Sequence, residues 1–112
     1  MTADYYIADW EQAVWQRRAA TMLTKILASH RHLPILAWSV GSSGSTLVGH
    51  VTCLGSAEKA RGVFDAWCDA LSVEQRAEQP SASGGVYLWG AVRTGQVTVN
   101  LAARVFPDED EE

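Results

Sequence analysis

The chain has 112 residues, 47% of them hydrophobic and 20% charged, with a formal net charge of −4. This is enough apolar material for one core and too little chain for a second domain. Five of the thirteen acidic residues are Asp108, Glu109, Asp110, Glu111 and Glu112, so residues 1–107 form a nearly neutral body and 108–112 an acidic tail, expected to stay disordered as a solubilising end.

In chain order, "MTADYYIADW" carries Asp where a signal peptide would carry Lys or Arg, and no apolar run approaches membrane-spanning length, which predicts a cytoplasmic protein without membrane association. Tyr5, Tyr6 and Ile7 suit a short strand or a lid. From Trp10 to His30 there is neither Gly nor Pro, and Trp15, Ala19, Met22, Leu23, Ile26 and Leu27 recur at three- and four-residue steps, the pattern of an amphipathic helix. Asp9 is its N-cap candidate, and "SHRHLP" supplies basic residues and then Pro34 as a stop.

"PILAWSV" and "TLVGHVTC" then predict two strands flanking Gly41–Ser45. A phosphate cradle at "GSSGST" would need a Lys and a following helix, yet no Lys occurs between Lys25 and Lys59 and the residues after Thr46 are strand-like. A hairpin turn needing positive φ is therefore the reading adopted. Ser56 caps a second helix to about Leu71, with Ala60, Val63, Phe64, Trp67 and Leu71 on one stripe and Cys68 at its edge. Asp65 and Asp69 fall on the wet side. "SVEQRAEQPSASGG" is expected to be a polar linker that opens with a helical turn.

The last third holds two strand-like runs about Thr94–Gly95, a tight turn. In the final run Val97, Val99, Leu101, Ala103 and Val105 alternate with Thr98, Asn100, Ala102 and Arg104. The run before it puts Val86, Leu88 and Val92 on one side and Tyr87, Trp89 and Ala91 on the other, apolar on both. The predicted fold is α+β: a two-layer sandwich in the order α-β-β-α-β-β, with a four-stranded antiparallel sheet and both helices on one face. Trp67, Phe64, Val63, Leu23, Ile26, Leu27 and Leu101 are the expected core. The open face is expected to present Trp38 or Ile35, Tyr87, Trp89 and Thr98.

"LPILAWSVGSSGSTLVGHV", "ARGVFDAWCDAL" and "FPDEDEE" resemble a group of short proteins encoded in actinomycete genomes and their mobile elements, whose signature is a W-S-V-G-x-x-G-x-x-L-x-G run and an F-x-A-W helix. The resemblance spans most of the chain from Leu33 on. It carries over no catalytic residue and no cofactor, and implies a bacterial cytosolic accessory protein.

His30, His32, His50, Cys53 and Cys68 lack the paired spacing of a zinc site, so no metal is expected. Cys53 and Cys68 read as reduced thiols packed as small hydrophobes rather than a disulfide. No motif assigns a catalytic residue or cofactor. The favoured function is a non-enzymatic interaction module with a protein partner and a two-fold homodimer, the interface candidates being Trp38, Tyr87 and Trp89. Two alternatives stand beside it. A nucleic-acid-associated protein would use Arg17, Arg18, Lys25 and Arg31 with aromatic stacking, and a small-molecule or catalytic site would lie near His50.

Overall fold

Residues 9–41, 44–52, 55–81 and 84–106 are described by the structure, a computed structural model. Tyr5–Ile7, Cys53 and the acidic tail, about which the sequence raised expectations, lie outside them.

Helix α1 spans Asp9–Ser29, with Asp9 and Glu11 in the first turn where carboxylates complement the helix dipole. Its inward stripe runs from Ala19 through Met22 and Leu23 to Ile26, of which Ala19 and Ile26 are fully buried. Leu27, expected in the core, is 45% exposed because it lies one step past that stripe. Strands β1 (Ala37–Val40) and β2 (Thr46–His50) form an antiparallel hairpin, and Gly44 takes the positive φ (75°) that its loop requires. Gly41, Gly44 and Ser45 of "GSSGST" thus lie between two paired strands, and a strand rather than a helix begins at Thr46, while Ser42 and Ser43 lie outside the described residues.

Helix α2 spans Ala57–Ala70, and the Ser56 side chain accepts the Lys59 amide at 3.1 Å as N-cap. Ala60, Val63, Phe64, Trp67 and Cys68 are its buried residues. Three strands follow: β3 (Arg76–Pro80), β4 (Val86–Thr94) and β5 (Val97–Val105). The mixed sheet runs β1-β2-β5-β4-β3, with β2 parallel to β5 and every other pair antiparallel.

The α+β class and the two helices agree with the sequence; the four-stranded antiparallel sheet does not. The fifth strand, β3, comes from the segment read as a polar linker. Its Arg76 and Glu78 face α2, where Arg61 grips Glu78 through both guanidinium nitrogens at 3.1 Å and Arg76 reaches Asp69 at 2.6 Å. An edge strand held by ion pairs carries no apolar alternation, so the period-2 signal is missing. Its addition reverses the chain once more before β5, and for that reason β5 meets β2 in parallel.

Both helices pack on one face of the sheet, α1 over β1, β2 and β5 and α2 over β5. Central β5 supplies Val97, Val99, Leu101, Ala103 and Val105 to this core. Trp38, expected on the open face, points into it instead. Its register partner is Gly49 on the helix-bearing side, and its indole lies over that glycine, where a Cβ would come within 3.0 Å of the ring. The Trp38 ring meets Trp67 edge-on at 5.6 Å between centroids, and Trp67 meets His30 at 6.0 Å. The Trp67 indole N–H donates to the Pro34 carbonyl at 2.8 Å, so α2 clamps the link between α1 and β1.

Candidate functional site

Three surfaces of the fold carry the residues that sequence and geometry single out. The first is the open sheet face. Register puts His50, Ala102, Trp89 and Ala77 in one row across β2, β5, β4 and β3, with Val48, Asn100 and Ala91 in the row to one side and Arg104, Tyr87 and Gln79 to the other. Arg93 and Thr98 pair in the next row. Tyr87 and Trp89 therefore stand where the sequence put them, on the outer face, with Trp89 43% exposed. Ala102 is small, and between His50 and Trp89 it leaves a hollow of about 240 Å³ that Asn100 and Tyr87 also line. Among the described residues no carboxylate lines this hollow, so none of them serves His50 there as an acid partner for proton transfer.

The second surface is the sheet edge. Edge strand β3 carries Arg76, Glu78 and Pro80, each of which discourages pairing with another chain. Edge strand β1, Ala-Trp-Ser-Val, has no charge and no proline. The Gly41 amide donates to the Thr46 carbonyl at 2.8 Å; by antiparallel alternation the Ala37 and Ser39 peptide groups also face β2, and those of Trp38 and Val40 face outward. Exposed apolar side chains lie in this edge and just before it: Ile35 is 89% exposed, and Val40 is also exposed.

The third is α1. Arg17, Arg18 and Lys25 line a groove of about 410 Å³ between the helix and the β4–β5 turn at Gln96. Arg18 reaches the Ser45 hydroxyl at 3.4 Å, and Arg31 stands apart on the exposed turn after α1. None of these four bases forms an ion pair among the described residues, whereas Arg61 and Arg76 are both paired. Charge is thus segregated: from Gln12 to Ala57 there are four basic residues and no acidic one, and from Gln79 to Pro107 only Arg93 and Arg104 are charged. The acids of the folded body beyond Glu11 all lie between Glu58 and Glu78.

Groups with reactive potential do not converge. Among the described residues no three His, Cys, Asp or Glu side chains form a metal-binding cluster. Cys68 is a free, buried thiol; burial pushes it up to about 11, partly opposed by nearby Arg76, and so keeps it protonated and unreactive. The Arg61 guanidinium bonded to Glu78 holds that carboxyl below its usual range. Among the described residues no helix is long and apolar enough to cross a membrane.

Sequence reasoning placed Arg104 with Thr98 on the wet side of the last strand but missed Arg93 as a member of the open face, together with the hollow over Ala102. The signal was present: Tyr87, Trp89, Ala91 and Arg93 share one parity in β4, and Thr98, Asn100, Ala102 and Arg104 share one parity in β5. Compared with protein families, curated proteins and solved structures, the chain matches none.

Proposed function

We propose that the protein is a non-enzymatic interaction module whose pairing edge is β1 and whose partner is a protein, in the first instance a second copy of itself. The observation that carries this reading is the contrast between the two edges of the sheet. β3 is guarded by charge and proline, while β1 leaves the outward peptide groups of Trp38 and Val40 unguarded beside exposed Ile35. An unguarded edge pairs readily with an added strand, main-chain bonds giving affinity and flanking apolar side chains giving selectivity. Antiparallel pairing of β1 with its own copy satisfies a two-fold axis, the commonest symmetry of homo-oligomers.

Sedimentation at several concentrations tests this, with Val40→Pro as the perturbation. The substitution removes one outward N–H and no bond to β2, so the fold is retained and the dimer is lost. Monomeric wild-type protein into the high micromolar range, or a Val40→Pro variant that dimerises as the wild type does, refutes β1 as the pairing edge.

A further inference from the structure

We propose that the open sheet face binds single-stranded nucleic acid, with Trp89 and Tyr87 as stacking platforms and Arg104 and Arg93 as phosphate contacts. Tyr87 and Trp89 lie two residues apart on β4, hence on the same face and about 6.6 Å apart along the strand. That spacing lets two bases of one strand each find a ring. Stacking is tolerant of sequence because every base presents a π-face. A two-stranded helix, with its bases stacked inside, offers no such faces, and a single strand does.

The surroundings match a polyanion. Arg104 pairs across the sheet with Tyr87, Arg93 sits one row beyond Ala91 on the same strand face, and both guanidinium groups are exposed. Only one of the residues in the five strands is a carboxylate, Glu78, and it turns to the other side to pair with Arg61. The hollow over Ala102 is floored by an alanine between Trp89 and His50 and bordered by the Asn100 amide, which can donate to and accept from the edge of a base. Charge complementarity also argues against a second copy as the occupant of this face, since two such faces would oppose Arg to Arg with no acid among the described residues between them.

The test is fluorescence anisotropy of a labelled twelve-nucleotide single strand and of the matching duplex, each titrated with the full chain over a range of salt. Single-strand binding is expected to exceed duplex binding. Trp89→Ala should weaken it roughly five- to a hundredfold while leaving the salt slope unchanged, and Trp89→Phe should restore most of the loss. Arg104→Gln should weaken it and reduce the slope of log K against log salt by about 0.7, the share of one phosphate contact. A circular dichroism spectrum like the wild type's shows that each variant is folded. The proposal is overturned by no anisotropy change at low salt, by equal affinity for the duplex, or by loss of binding in Arg17→Gln/Lys25→Gln but not in Trp89→Ala. A change in sedimentation of Trp89→Ala without oligonucleotide also overturns it, since the face would then be a contact between copies.

Discussion

Trp38 and Trp67 meet edge to face in one core, yet the same substitution to Phe should affect them very differently. Trp67 is 2% exposed and its N–H is bonded to the Pro34 carbonyl. Replacement by Phe forfeits that bond, at about 1 kcal/mol, and removes three heavy atoms from a closed site, at about 2 kcal/mol more, so the loss is about 3 kcal/mol. The Trp38 Nε1, in contrast, is buried and finds no acceptor. Replacing Trp38 by Phe removes an unsatisfied donor whose burial costs about 1–3 kcal/mol, and this offsets the packing lost from a half-buried ring. The net change expected is within about 1 kcal/mol of zero, a gap of ~2–4 kcal/mol between the variants. Urea unfolding followed by far-ultraviolet circular dichroism avoids the altered fluorescence of the variants, and an unchanged m value confirms that the same transition is compared. Equal losses in the two variants would refute the reasoning, since they would show that the Trp67 bond and the Trp38 orphan donor count for nothing.

Two other perturbations follow from the same core. The raised Cys68 pKa means that the folded state holds its proton in a window where the unfolded chain releases it, so this contribution to stability is full below the unfolded thiol's pKa and is lost as pH rises toward about 11. Unfolding midpoints measured from pH 8 to pH 11 should fall in wild type and fall less in Cys68→Ala, and Cys68 in the native protein at pH 8 should resist alkylation by iodoacetamide, read by peptide mapping. Gly85 lies where an added Cβ would clash with the Val105 carbonyl oxygen, so Gly85→Ala must push β4 from the end of β5 and should cost about 1–3 kcal/mol in thermal unfolding. A Gly85→Ala protein as stable as wild type would show that this strand end is not held in the observed register.

The elements with strong periodicity were legible in the sequence. Ser56 capping α2, the stripe from Ala60 to Trp67, the turn at Thr94–Gly95 and the inward parity of β5 all follow from local chemistry, and the structure has each of them. What escaped was decided by long-range pairing. β3 is recognisable as a strand only because Asp69 and Arg61 of α2 stand opposite its charges. One uncounted strand then inverts the direction of β5 relative to β2, a global error from a five-residue omission. Trp38 was misplaced for a related reason. Within "ILAWSV" both parities are apolar, so alternation cannot choose a face, and Gly49, the residue that makes room for the indole, lies across the hairpin. On the open face the aromatic pair and Arg93 share a parity legible from β4 alone, whereas the pairing of Arg104 with Tyr87 required the register with β5.

The two proposed surfaces are geometrically linked. If β1 pairs antiparallel with its copy, the two-fold axis stands perpendicular to the sheet, so the helices of both copies lie on one side and both open faces on the other. The order β3-β4-β5-β2-β1 then continues into its mirror order, and the two β4 strands are separated by seven strand spacings of about 4.8 Å, roughly 34 Å. A stacked single strand rising ~3.4 Å per nucleotide covers that distance in about ten nucleotides. Oligonucleotides shorter than this engage one platform, and longer ones engage two, the second contact becoming intramolecular and gaining from effective concentration without any new chemistry. Linkage makes the coupling reciprocal: a strand long enough to reach both platforms must strengthen the dimer by the factor by which the dimer strengthens its binding. Affinity should therefore rise steeply with length beyond about ten nucleotides in wild type and only gradually in Val40→Pro, in which each platform remains alone.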